Sequence, residues 1–140
     1  MCVINREFEP MTRQSTENGK NSAPADPFQA GSGEEIWIDE GIFVTEILNA
    51  PQSPNLSIAR CRLPARAITQ LHSLSVAETY IIESGTGRMR VGERIFDVRP
   101  GDGVRIGVNV AQNIENTGDT DLIFIATCTP RFTMEAYKAV

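Results

Sequence analysis

From residue 35 onward the chain is a succession of short β-rich runs, each closed by a turn, and that rhythm limits it to an all-β sandwich or barrel. The runs are Ile36–Leu48, broken at Asp39-Glu40-Gly41, then Leu56–Leu63, Glu78–Glu83, Arg88–Val91, Arg94–Val98, Gly103–Ile106, Gln112–Glu115 and Leu122–Thr127. Between them stand Gly85-Thr86-Gly87, Val91-Gly92-Glu93, Pro100-Gly101-Asp102 and Asn116-Thr117-Gly118-Asp119, residues that supply left-handed or tightly turned backbone. Within Leu56–Leu63, apolar Ala59, Cys61 and Leu63 alternate with Arg60 and Arg62, the pattern of a strand with one buried and one outer face. Only Met134–Val140 reads as helical, as a short C-terminal cap.

The first 33 residues follow a different pattern. From Thr12 to Gly33 the chain is polar, carries Gly19, Pro24, Pro27, Gly31 and Gly33, and shows no apolar period. Such a stretch buries too little surface to offset its ordering entropy, so residues 1–33 are expected to form a disordered tail and residues 34–140 one barrel domain. Val3-Ile4 and Phe28 are the tail's apolar points, able to dock on a neighbouring subunit.

A net charge of -5 argues against nucleic acid or an anionic membrane as partner. No apolar run approaches the roughly 20 residues of a membrane-spanning helix. The opening Met1-Cys2-Val3-Ile4-Asn5-Arg6-Glu7 has no apolar signal region, and a cytoplasmic location is expected. Cys2, Cys61 and Cys128 form no C-x-x-C pair, which speaks against a disulfide scaffold. In apolar runs Cys61 and Cys128 read as small hydrophobes, the alternative being a thiol that faces a ligand site.

Two spaced motifs narrow the fold. The first runs Arg66, five residues, His72-Ser73-Leu74, three residues, Glu78, six residues, Gly85. The second runs Gly101, five residues, Gly107-Val108-Asn109, two residues, Gln112, three residues, Asn116, with 15 residues (86–100) between the two. Gly85, Gly87 and Gly101 are expected where a reversal needs positive φ or leaves no room for a Cβ. Asn109 tolerates the left-handed region, whereas Arg66 is expected to keep an ordinary backbone. Side-chain parity puts Gln70, His72 and Leu74 on one strand face, Glu78, Tyr80 and Ile82 on the next, and Gln112, Ile114 and Asn116 on a third.

In spacing, the stretch over residues 35–132 resembles the cupins, small double-stranded β-helix or jelly-roll barrels. It is also similar to a branch of small bacterial cupins with His-x-Leu, Glu-x-Tyr, a second-motif glutamine and a closing Cys-Thr-Pro-Arg-Phe. Here these are His72-Ser73-Leu74, Glu78-Thr79-Tyr80, Gln112 and Cys128-Thr129-Pro130-Arg131-Phe132. The resemblance implies that the three faces converge in the barrel mouth, with His72, Glu78 and Gln112 where cupins hold a divalent metal. Leu74 and Gln112 stand where metal-binding cupins carry histidine, and His72 is the one histidine in the chain.

Two functions are therefore expected from the same residues. One is a low-affinity metal enzyme acting on a small oxygen-rich substrate, with Mn, Fe, Ni or Zn on His72, Glu78 and Gln112 and with Glu78 or Tyr80 as proton-transfer group. The other is a metal-free barrel that binds or senses a small molecule without catalysis. In both, Gln70, Leu74, Ile82 and Ile114 would line the ligand and the chain would form a homodimer, with Trp37 in the core or at a subunit contact. Tyr80 is equally an interior aromatic, and Arg60 and Arg62 are expected on the outer face.

Overall fold

The computed structural model describes residues 27–28 and 33–140, which build two antiparallel sheets around one core. The strands are β1 (Ile36–Ile38), β2 (Ile42–Leu48), β3 (Ser57–Leu63), β4 (His72–Leu74), β5 (Ala77–Ser84) and β6 (Gly87–Val91). They continue with β7 (Arg94–Val98), β8 (Gly103–Ile106), β9 (Gln112–Asn116), β10 (Leu122–Thr129) and β11 (Tyr137–Ala139). One sheet is ordered β1-β2-β3-β10-β5-β8 and the other β11-β4-β9-β6-β7, the jelly-roll arrangement that the resemblance implies.

Strand β10 shows why these residues pair as they do. Leu122, Phe124, Ala126 and Cys128 alternate with half-buried Ile123, Ile125 and Thr127, so one face is sealed against the core. Its two neighbours follow in register: Phe124 lies beside Cys61 of β3 and Ile82 of β5, and Ala126 beside Ala59 and Tyr80. Met89, Val98 and Ile114 of the second sheet close the same cluster. Phe124 is 1% exposed, and burial of a side chain that size contributes about 1.5–3 kcal/mol. Arg60 and Arg62 point outward as expected, Arg62 to Glu35 and Asp121 and Arg60 toward Glu83.

Buried Asn116 locks the turn after β9. Its amide nitrogen donates to the Leu63 and Thr120 carbonyls at 2.9 and 2.8 Å, and its oxygen accepts from the Gly118 N–H at 2.9 Å. Every polar atom of that side chain thus has a partner, which is what makes a fully buried amide tolerable.

Two expectations are corrected and a third is narrowed. Residues Met134–Val140 are no helix: a single 3₁₀ turn, Met134–Ala136, leads into β11, which pairs with Leu74, Ser73 and His72 of β4. A free strand edge offers more hydrogen bonds than a seven-residue helix can make for itself. Arg66 adopts φ 65°, the left-handed conformation a glycine would favour, with its guanidinium on Asp119 at 2.7 Å; Asn109 is left-handed as expected. Trp37 is not core: it is 55% exposed and packs edge-on against Phe43. The tail, with Cys2 and Val3-Ile4, lies almost wholly outside the described residues; Phe28 is exposed.

Gly85 and Gly101 separate two kinds of glycine requirement. Gly85 has φ 84°, and a Cβ there would stand 2.6 Å from the Asp121 carbonyl oxygen, whereas Gly101, at φ 93°, faces open space. Gly101→Ala is expected to cost about 1 kcal/mol of backbone strain. Gly85→Ala, with strain and a backbone clash together, is expected to cost about 3 kcal/mol. Chemical denaturation of the two variants measures the difference, and equal losses would contradict this account.

Candidate functional site

The site begins at the β1–β2 turn. Gly41, at φ 96°, donates to the Ile38 carbonyl at 2.9 Å, and the Gln70 N–H donates to the Glu40 carbonyl at 2.8 Å. That cross-link brings the turn over the start of β4, where the Gln70 carbonyl accepts from His72 Nδ1 at 2.8 Å. On the other side of the ring, His72 Nε2 meets Glu40 Oε1 at 2.6 Å. Tyr137 of β11 stacks on the imidazole with ring centroids 5.1 Å apart, and its hydroxyl reaches toward Gln70 Oε1 at 3.5 Å.

His72 is the Cα partner of Gln112 across β4 and β9, and Gln112 Nε2 in turn donates to Glu78 Oε1 at 2.8 Å. The other Glu78 oxygen faces the Cys128 thiol at 3.6 Å, a position set by the pairing of Glu78 with Cys128 across β5 and β10. Two hydrogen-bonded segments, Glu40–His72 and Gln112–Glu78–Cys128, thus lie side by side where β4 pairs with β9. Gln112 Oε1 is buried and has no hydrogen-bond partner. An amide oxygen left so costs roughly 1–3 kcal/mol.

The remaining candidates are more scattered. Tyr80 is stacked on Phe124 at 4.3 Å in the core, and burial pushes its phenol well above the usual range, so it holds its proton. Ile82 and Ile114 are core residues, 2% and 1% exposed. Leu74 belongs to a satellite cluster with Val76, Cys128 and Ala136. Gln70 does not share the inner face: its side chain is exposed, because it precedes the first paired residue of β4 and the strand alternation does not extend back to it. A cleft of about 430 Å³, bounded by Thr86, Arg88, Asp97, Arg99 and Thr117, lies at the other end of β6 and β9, and no candidate residue lines it.

Sequence reasoning missed Glu40, which looked like part of a turn. No local signal could have found it, since its partner stands 32 positions away and only the cross-link to Gln70 aims it. Cys128 was legible only as one of two alternatives.

Burial pushes the Glu78 carboxyl up to about 7, helped by the Glu40 charge and opposed by the Gln112 hydrogen bond and by His72. For His72, burial alone would favour the neutral ring, but the hydrogen bond and charge of Glu40 outweigh it and raise the imidazole above its ordinary value. Cys128 is pushed up to about 12, chiefly by burial and then by the Glu78 charge, so it stays a thiol.

The arrangement does not fit a divalent metal. Both nitrogens of the single imidazole are engaged, and Gln112 turns its nitrogen and not its oxygen toward Glu78. Among the described residues no three His, Cys, Asp or Glu side chains converge in a metal-binding group.

Glu78 and His72 shape the pH dependence of stability in the same direction. Folding raises the Glu78 carboxyl from 4.5 to about 7, so the native state binds more protons than the unfolded chain in that window. Stability therefore falls as pH rises from 4.5 to 7, by on the order of 3 kcal/mol for this group. The stabilisation from charged His72 is full below 6.5 and is lost as pH passes its raised native value. In urea titrations across that range, Glu78→Gln is expected to flatten much of the decline. A variant with the wild-type slope would contradict the assignment.

Comparison with known proteins places this geometry. No curated protein matches the sequence. Among solved structures, oxalate decarboxylase from Bacillus subtilis superposes with a TM-score of 0.74 over 86% of this chain at 19% identity, and this chain spans 33% of that protein. An RmlC-like cupin from Shewanella frigidimarina gives a TM-score of 0.64 at 18% identity, covering 76% of this chain and 92% of that one. A nucleoside dehydratase gives 0.68 at 15% identity, covering 83% and 91%. At these identities the likeness is one of fold. The Cupin domain family profile matches residues 59–128, from inside β3 through the Cys128 position, and so spans both motifs, Glu78 and Gln112. With half the sequence matched and the jelly-roll barrel built as described, the chain belongs to the cupin family.

Proposed function

We propose that this cupin binds one small, oxygen-rich molecule inside its barrel without a metal, and that Glu78 exchanges a proton with it. The observation that supports this reading is Gln112 Oε1, a buried acceptor with no partner, on the same amide that holds Glu78. A ligand O–H or N–H donated to that oxygen would relieve its desolvation cost. Glu78, with its carboxyl near 7, gives up a proton to a bound acceptor or takes one from a bound donor without a large free-energy step. The Cys128 thiol and the Gln112 amide, both donors, stabilise the ionised form once the proton has left.

Access runs past the C-terminal strap. Strand β11 is three residues long, pairs only with β4, and carries Tyr137 over His72. Outward displacement of this strap uncovers the imidazole and then Gln112 beside it.

A metal-dependent reading of the same residues has the support of the barrel's likeness to oxalate decarboxylase, one such structure being a study of its Mn(II) centres. It requires Glu40 to release His72 Nε2 and Gln112 to turn its oxygen toward the Glu78 side. We also read the chain as a cytoplasmic homodimer. Ile81, Ile123 and Ile125 lie on the outer face of the six-stranded sheet, with the Arg60–Glu83 and Arg62–Asp121 pairs among them, so the patch offers both charge signs to a second copy. Light scattering is expected to give twice the chain mass, and a monomer at micromolar concentration would end this part of the proposal.

Tag-free protein is expected to bind small polyols or hydroxy acids equally well before and after exhaustive chelation. Binding followed by calorimetry should vary with one ionisation near pH 7, lost in Glu78→Gln, and Gln112→Leu should weaken it at least tenfold. Binding that disappears on chelation and returns with Mn²⁺ or Fe²⁺ would overturn the metal-free reading.

A further inference from the structure

The geometry points to Glu40 as the residue that keeps His72 from acting as a metal ligand, by holding the imidazole as a hydrogen-bonded ion pair. This rests on the metal-free reading and names the side chain responsible for it. The Gln70 carbonyl oxygen can only accept, so Nδ1 of His72 carries a proton and donates to it at 2.8 Å. Across the ring, Nε2 stands 2.6 Å from Glu40 Oε1, and a carboxylate oxygen likewise only accepts. Two acceptors on the two nitrogens describe an imidazolium. With the shared proton on Nε2, no lone pair is left there for an ion.

The pair is built into the fold and not an accident of one rotamer. One residue's backbone serves both partners: the Gln70 N–H holds the Glu40 carbonyl, and the Gln70 carbonyl holds the His72 ring. The His72 side chain is 3% exposed and that of Glu40 13%, so water competes poorly for either. Tyr137 stacks at an interplanar angle of 15°, which fits a ring held in one plane, and a cationic ring gains further from an aromatic face. An ion entering the site would have to displace this carboxylate from Nε2 and strip a proton from the ring, breaking a partly buried ion pair.

A chain with one histidine makes the test unambiguous. Long-range ¹H–¹⁵N spectra of the tag-free wild type at neutral pH are expected to show both ring nitrogens protonated, unchanged by a several-fold excess of Zn²⁺ or Ni²⁺. A neutral single-tautomer ring would overturn the inference even if the protein takes up no metal. Zn²⁺ shifting the ring signals as a ligand would overturn both this inference and the metal-free reading. Metal uptake with the ring signals unmoved would leave the Glu40 inference standing and remove the metal-free reading alone. In a second arm, Gln112→His supplies another imidazole, and adding Glu40→Ala is expected to raise Zn²⁺ affinity at least tenfold over Gln112→His by itself. Equal affinities would show that Glu40 is not the barrier. The conservative Glu40→Gln, in the same Gln112→His background, covers the case in which the alanine variant fails to fold.

Discussion

Strand β10 is held on both sides, by β3 from Leu122 to Cys128 and by β5 from Ile123 to Thr129, and its period-two alternation is the constraint the rest of the barrel depends on. A slip of one residue would turn Leu122, Phe124, Ala126 and Cys128 to the outside together, a loss no local adjustment offsets. Because β10 cannot slip, Cys128 must lie opposite Glu78, and Glu78 must point inward beside Tyr80 and Ile82. The carboxyl is therefore carried into the interior by the same registration that buries the hydrophobic core.

The second sheet brings polar groups to meet it under weaker constraint. Only one residue pair, His72 with Gln112, joins β4 to β9, and β4 has β11 on its other edge. Glu40–His72 and Gln112–Glu78–Cys128 flank this less tightly laced seam. Such groups stay in an apolar interior only when paired, and here each has a partner while the amide oxygen of Gln112 has none. Asn116 is satisfied by three hydrogen bonds at one end of β9, whereas Gln112 at the other end keeps an unfilled acceptor.

Most of this was legible before any coordinates. The turn residues and alternating runs marked the strands, strand parity grouped the side chains by face, and the resemblance to cupins implied that His72, Glu78 and Gln112 lie close together. Legibility failed where the deciding partner is distant. Arg66 accepts a left-handed backbone in a loop where its guanidinium reaches Asp119, 53 positions on. Residues 137–139 become a strand because β4 offers them an edge. Gln70 lost its inward place because pairing starts two residues later.

The sequence by itself determined the all-β class and, through a side-chain period of two, which residues share a strand face, while the meeting of one imidazole, one carboxyl and one amide in a single interior was what the resemblance to cupins implied. Tertiary structure alone decided what those groups do to one another. It put Glu40 on His72 Nε2, turned the Gln112 nitrogen toward Glu78, and raised that carboxyl to about 7 by burial. Charge state and free lone pairs depend on atoms a few ångströms away in space, and no pattern along the chain relates position 40 to position 72.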